Sequence, residues 1–183
     1  FYPLGLVTSG FAHGGLNHVT GNLLSTLVFG SLAEYAWSHF PHERGTSSFS
    51  SPRTNPFVRI VAWIVAILVA GILLPIFSLG PVIGFSGVVF AFVGAALVYY
   101  PLGTVVALSA SGLLSTAYRA LSSPVVEASG RPAYISPWWA DIAIQGHALG
   151  LLVGVLAAAW LAAARGDDLP RPRRLALGAL LVG

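Results

Sequence analysis

Two polar residues lie inside apolar stretches where their side chains could do chemistry. Ser86 belongs to the string Gly84-Phe85-Ser86-Gly87, and His147 lies in a long apolar stretch nearer the carboxyl end. A protonatable imidazole inside a hydrophobic span marks a candidate functional site, because placing such a group in a bilayer is costly. A serine hydroxyl is a poor nucleophile until a neighbouring base activates it. The pair therefore suggests a nucleophile and its general base.

Imidazole is the only credible base for this serine. His147 is the only histidine in the later apolar stretches, and the chain contains no lysine. Both residues also have ordinary structural interpretations. Serines in membrane helices usually hydrogen-bond to a carbonyl of their own helix, and His147 could be a histidine whose partners are supplied by helix packing. The sequence leaves these interpretations open.

His18 and Asn22 could stabilise the negative charge that forms when a serine attacks a carbonyl. The two residues are four apart and so share one face of a helix. Both side chains can donate hydrogen bonds to an anionic oxygen. If Ser86 begins a helix, its free backbone N–H group is a further donor. The alternative is an interfacial histidine beside an asparagine that serves helix packing.

Regularly spaced glycines offer a way to bring Ser86 and His147 together. They are Gly84, Gly87 and Gly94 around the serine, and Gly146, Gly150 and Gly154 around the histidine. Small residues at four-residue spacing let membrane helices approach closely. Such an approach would place His147 against Ser86, with Phe90 on the same helix face to stack on the imidazole. Ordinary helix packing, with Phe90 facing the core or lipid, is the alternative.

The composition is that of an integral membrane protein. The 183 residues are 56% hydrophobic and 8% charged, with a mean hydropathy of +0.81, whereas soluble domains carry about 25% charged residues. The chain has no cysteine, which excludes disulfides and thiolate sites. His13 and His18 do not form a His-Glu-x-x-His pattern, so we expect neither a metal nor a cofactor.

Apolar runs predict five membrane-spanning helices, at about residues 18–37, 57–79, 86–100, 102–121 and 138–164. Residues 1–17 are predicted to form a surface loop, 18–164 the membrane core, and 165–183 a cytoplasmic tail with the start of an additional helix. At 1.5 Å per residue the third span covers only about 22 Å. Its starting end, which carries Ser86, therefore stops inside the bilayer, where irregular backbone must be buried by protein or line a wet cavity.

The charges of the connecting segments predict an orientation. Arginine exceeds acidic residues in the segment after the first span and in the tail; the charged residues are Arg44, Arg53, Arg59 and Glu43, then Arg165, Arg171, Arg173, Arg174, Asp167 and Asp168. Basic connections remain cytoplasmic. The starts of spans one, three and five then lie on the outer side, together with the four polar residues discussed above. Because orientation explains the net charge of +3, no nucleic-acid partner is expected.

At these residues the chain resembles the rhomboid intramembrane serine proteases. The shared pattern comprises His13, His18, Asn22, Gly30 and Glu34, then Gly84, Phe85, Ser86, Gly87, Phe90 and Gly94, and finally His147, Gly150 and Gly154. Its order and spacing extend over nearly all of residues 11–161. One departure is Gly146, where family members commonly have alanine before the histidine.

The resemblance implies an all-α, polytopic, rhomboid-like transmembrane bundle with five core helices present and the start of a further one. The five would correspond to the second to sixth helices of the family, with the first lying before Phe1. Ser86 would be the nucleophile and His147 the base. His18, Asn22 and the Ser86 N–H would form the oxyanion hole, supported by Phe90 and the glycines at 84, 87, 150 and 154.

The implied activity is cleavage of single-span membrane proteins within the bilayer. We expect the protein to lie in the cell membrane, with its active site opening to the outer side. No cofactor is implied, and the sequence sets no oligomeric state. Two other functions stay open: a non-catalytic adaptor of the same fold, and a small transporter with a broken helix. A transporter predicts internal repeats, and the sequence has none.

Overall fold

The computed structural model describes residues 3–37, 49, 51–52, 54–78, 82–122 and 144–170. Within these ranges the regular structure is helical throughout. A short helix α1 (Pro3–Thr8) comes first. The long helices are α2 (Leu16–Ser25), which continues through a π-helical turn (Thr26–Gly30) into α3 (Ser31–Trp37), then α4 (Pro56–Phe77), α5 (Ser86–Tyr99), α6 (Pro101–Ser122) and α7 (Ile144–Arg165). The predicted helical bundle is therefore confirmed.

The predicted spans agree closely with these helices. Four of the five lie within two residues of the observed bounds at both ends. The fifth was predicted from residue 138, and residues 138–143 lie outside the described part of the chain; α7 is described from Ile144. Among the described helices, α4 and α7 are long and apolar enough to cross a membrane, while α5 and the segment Pro101–Leu114 are shorter apolar helices.

Residues 1–17, predicted as a loop, contain a helix and are anchored to the bundle. Helix α1 packs against α4. A Cβ atom built on Gly10 would lie 3.0 Å from the carbonyl carbon of Gly71 in α4 and nearer still to its oxygen, so the two backbones touch. The loop therefore has a fixed position over α4. The additional helix predicted after residue 175 lies outside the described residues.

Helix α5 is the centre of the bundle and contacts α3, α4, α6 and α7. Its buried side chains are mostly aliphatic, including Val88, Val89 and Val93, with Phe92 among them. Phe29 from the π-helical turn and Leu74 from α4 join the same core. Since neighbours surround α5 on several sides, the residue at its start is held from more than one direction.

Two arginines bind the end of α3 opposite the start of α5. Arg59 Nη2 donates to the Trp37 carbonyl at 2.6 Å, and Arg165 donates to the carbonyls of Trp37 at 2.7 Å and Ala36 at 3.0 Å. Both guanidinium groups lie 5.7 Å from the centre of the Trp37 ring. Cations at a helix C-terminus satisfy its last carbonyls and its dipole. The cluster therefore joins α3, α4 and α7 at one end.

We expect Arg165→Ala to lower the melting temperature of the purified protein by about 2–8 °C, because it removes two charge-assisted hydrogen bonds at a partly exposed site. Thermal unfolding in detergent measures the change. Arg165→Lys is the matched control. Lysine keeps the charge but cannot donate to both carbonyls in the same way, so the melting temperature should fall less than in the alanine variant. An unchanged melting temperature in the alanine variant would show that the cluster contributes nothing to stability.

Candidate active site

Helices α5 and α7 touch through glycine backbone. A Cβ on Gly150 would lie 3.0 Å from the carbonyl carbon of Gly87, and one on Gly154 would lie 2.7 Å from that of Ala91. In the other direction, a Cβ on Gly94 would lie 2.9 Å from the backbone nitrogen of Val155. Real Cβ atoms are not found so close to backbone, so glycine is required at all three positions. The two helices therefore pack backbone against backbone along this stretch.

This contact brings the serine and the histidine together. Ser86 directly precedes Gly87, and His147 lies one turn before Gly150. The Ser86 Oγ and His147 Nε2 atoms are 2.7 Å apart, a hydrogen bond. The other side of the imidazole is covered by the Phe90 ring, with centroids 4.3 Å apart and planes 12° from parallel. The imidazole is half-buried and held between a hydroxyl and an aromatic face.

Gly84 faces α2 rather than α7. It lies before α5 with φ +103, a left-handed conformation that favours glycine. A Cβ there would lie 2.6 Å from the His18 ring and 3.5 Å from Asn22 Nδ2. The Gly84 N–H group donates to the Ser9 carbonyl at 2.8 Å. Gly84 therefore does not contribute to the helix contact for which its spacing suggested it; it makes room for the two polar side chains of α2.

The start of α5 leaves backbone donors uncapped. Phe85 stands at the N-cap and offers no side-chain hydrogen bond, while its carbonyl accepts from the N–H groups of Val88 and Val89. The N–H groups of Ser86 and Gly87 belong to the first turn and have no carbonyl partner within the helix. The positive end of the helix dipole thus lies beside the serine hydroxyl.

His13 was missed as a site residue by the sequence analysis. Its Nε2 atom is 3.0 Å from Asn22 Nδ2, and its ring packs edge-on against His18 with centroids 5.0 Å apart. Two non-helical residues, Gly14 and Gly15, separate His13 from the start of α2, so helical periodicity gives no reason to connect it with Asn22. The signal that could have found it was its place in the pattern shared with the rhomboid family.

The described residues offer neither a metal site nor a placed acidic group beside the histidine. In the described ranges no cluster of three or more His, Asp or Glu side chains could hold a metal ion. Asp141, the acidic residue six positions before His147, lies outside the described residues. The arrangement at the start of α5 is thus a hydroxyl, an imidazole, and donors from α2 and the backbone.

One comparison with known proteins gives a match. A family model described as the rhomboid domain matches residues 2–164, which includes every residue of the site. Neither the curated proteins nor the solved structures give a match.

Proposed function

The chain belongs to the rhomboid family, and on that basis we propose that it is an intramembrane serine endopeptidase. Its substrates are membrane proteins with a single span, cleaved in or beside the transmembrane helix. The observation that carries this proposal is the 2.7 Å contact between Ser86 Oγ and His147 Nε2. A neutral imidazole at this distance accepts the hydroxyl proton as the oxygen attacks a carbonyl carbon.

The reaction proceeds in two stages. His147 takes the Ser86 proton during attack and returns it to the departing amine, which leaves the substrate acyl group on the serine oxygen. A water molecule, deprotonated by the same imidazole, then attacks the acyl carbon; the bond from that carbon to Ser86 Oγ breaks, the substrate leaves as an acid, and the imidazolium returns its proton to the serine oxygen. The stacked Phe90 ring limits rotation of the imidazole, and we infer that the dyad needs no acidic third member to orient it. Orientation is supplied by packing.

The negative oxygen of the intermediate is stabilised by donors from two elements. Gly84 lies next to His18 and Asn22 and two residues before Ser86, which supports placing both side chains and the Ser86 N–H around one carbonyl oxygen. Such donors act mainly on the transition state, because they are aimed at charge that develops during reaction.

We expect Asn22→Ala to lower kcat by about 100- to 1,000-fold, the usual cost of removing one oxyanion donor, with little change in KM. Cleavage of a fluorogenic single-span substrate in liposomes measures both constants. Asn17→Ala is the matched control, because Asn17 is an exposed asparagine on the same helix. If kcat of the Asn22→Ala variant stays within a factor of about three of the wild-type value, the Asn22 side chain is not an oxyanion donor.

Substrate chemistry follows from the location of the site. The amide bonds of a transmembrane helix are shielded by their own hydrogen bonds, so the substrate must unwind locally before attack. Small or helix-breaking residues near the cleaved bond favour this unwinding. Water must also reach Ser86, which requires a polar opening above the start of α5.

The membrane orientation that we propose places the active site toward the outer face of the cell membrane. Arg59 and Arg165 lie together at the opposite end of the bundle, around Trp37. Positively charged ends of membrane helices face the cytoplasm. The site residues, at the other ends of α2, α5 and α7, then face outward.

A fluorophosphonate probe separates the protease from the two alternatives. An activated Ser86 reacts with the probe, and the label disappears when His147 is replaced by phenylalanine. A non-catalytic adaptor or a transporter carries no activated serine, so neither gives a label that depends on His147. A wild-type chain that remains unlabelled and leaves substrates intact would overturn the proposed function.

A further inference from the structure

The His13 side chain lies between two polar groups that fix its tautomer. Its Nδ1 atom is 3.0 Å from the Phe11 carbonyl oxygen, which can only accept, so Nδ1 carries the proton. Its Nε2 atom is 3.0 Å from Asn22 Nδ2, an NH₂ group that can only donate, so Nε2 accepts. A neutral imidazole protonated at Nδ1 satisfies both contacts.

We propose that His13 is a positioning residue that holds the Asn22 amide with its NH₂ group toward the oxyanion; this inference rests on the proposed function. One hydrogen of the NH₂ group binds His13 Nε2 and the other remains for the substrate oxygen. Without His13 the amide can rotate by half a turn and present Oδ1 instead. That oxygen is an acceptor and would repel the negative charge it should stabilise.

The residues that hold His13 in place lie outside α2, the helix that carries Asn22. Phe11, whose carbonyl accepts from His13, has its ring against α4: a Cβ on Gly71 would lie 2.6 Å from the ring tip. The same ring lies 6.0 Å from that of Phe85, the residue before Ser86. His13 thus connects the Asn22 amide to a loop that is fixed on α4 and beside the start of α5. The imidazole also packs against His18, so it contacts both candidate oxyanion side chains.

A double-mutant cycle on the full chain in liposomes tests the inference. His13→Phe keeps an aromatic ring against His18 but removes both nitrogens. We expect kcat to fall by at least about 10-fold, up to the full loss caused by Asn22→Ala, with KM little changed. In the Asn22→Ala background the same replacement should lower kcat by less than about 2-fold, because the amide it orients is gone.

Two further variants make the result specific. His13→Gln supplies an amide oxygen that can accept from Asn22 Nδ2, so it should recover part of the kcat lost in His13→Phe. If His13→Phe does not fold, the cycle is completed with His13→Gln and His13→Asn, the shorter amide, which should not restore activity. Thermal unfolding of each variant shows whether stability accounts for the change.

Two outcomes overturn the inference in distinguishable ways. Equal kcat losses from His13→Phe in the wild-type and Asn22→Ala backgrounds would make His13 merely structural, while the protease assignment stands because the wild type still cleaves. A wild-type chain that cleaves nothing and takes no fluorophosphonate label would overturn the proposed function, and this inference with it.

Discussion

Replacing Ser86 with alanine is expected to lower kcat roughly a million-fold, the scale seen when the nucleophile of a serine hydrolase is removed. His147→Phe should give a comparable loss, because the ring and its contact with Phe90 are kept while the basic nitrogen is lost. Cleavage of a single-span substrate in liposomes measures both variants, and fluorophosphonate labelling reports the reactivity of the serine directly.

The matched control for these variants is Ser111→Ala. Ser111 is an exposed serine on α6 whose hydroxyl donates to the carbonyl of Leu108 at 2.8 Å, the ordinary role of a serine in a membrane helix. Its replacement should leave kcat and labelling unchanged. Undiminished cleavage in either Ser86→Ala or His147→Phe would eliminate the dyad and favour the adaptor or transporter alternative.

Gly150→Ala is expected to damage activity and stability together. The new Cβ would lie 3.0 Å from the Gly87 carbonyl carbon, and closer to its oxygen, so α5 and α7 must separate. Overpacking of this kind costs about 1–3 kcal/mol. A shift of about 1 Å at the proposed catalytic pair should lower the rate by about 100-fold, because the 2.7 Å contact between Ser86 and His147 depends on the separation of these helices.

Steady-state kinetics and thermal unfolding in detergent together test this prediction. The control is Gly112→Ala on α6, where a Cβ would meet nothing within 4 Å; alanine there should be neutral or slightly stabilising. Gly154→Ala lies one turn further from the site, so it should destabilise the protein as much as Gly150→Ala and affect kcat less. Full activity in Gly150→Ala would show that the glycine contact does not set the geometry of the dyad.

Much of this architecture was predictable because apolar length and small-residue spacing are strong signals in a membrane protein. The bounds of α5 could be predicted from the apolar run between Gly84 and Pro101, because glycine and proline often mark the ends of helices. The four-residue glycine repeat also indicated which face of α7 meets α5. The repeat continues in the structure as buried Ala158 and Ala162, which the glycine spacing alone does not predict.

Other features depend on contacts between segments that no local pattern encodes. The π-helical turn at Thr26–Gly30 has no sequence signature of its own, and the six residues of α1 are too few to show a helical periodicity. Gly84 was assigned to the wrong neighbour, since its role follows from a positive φ and not from helical spacing. His13 was part of the family pattern but was given no role, because its partner, Asn22, lies across a non-helical turn.

The arginine cluster around Trp37 holds the end of α3 that lies far from the candidate active site. From there to His18 the helix extends about 28 Å at 1.5 Å per residue, so tilting it by one degree moves His18 by about half an ångström. Catalytic groups tolerate displacements of only about that size. Loosening the contacts of Arg59 and Arg165 with Trp37 would therefore tilt this helix and lower the rate of the proposed reaction. No group that contacts the cleaved bond would have to change.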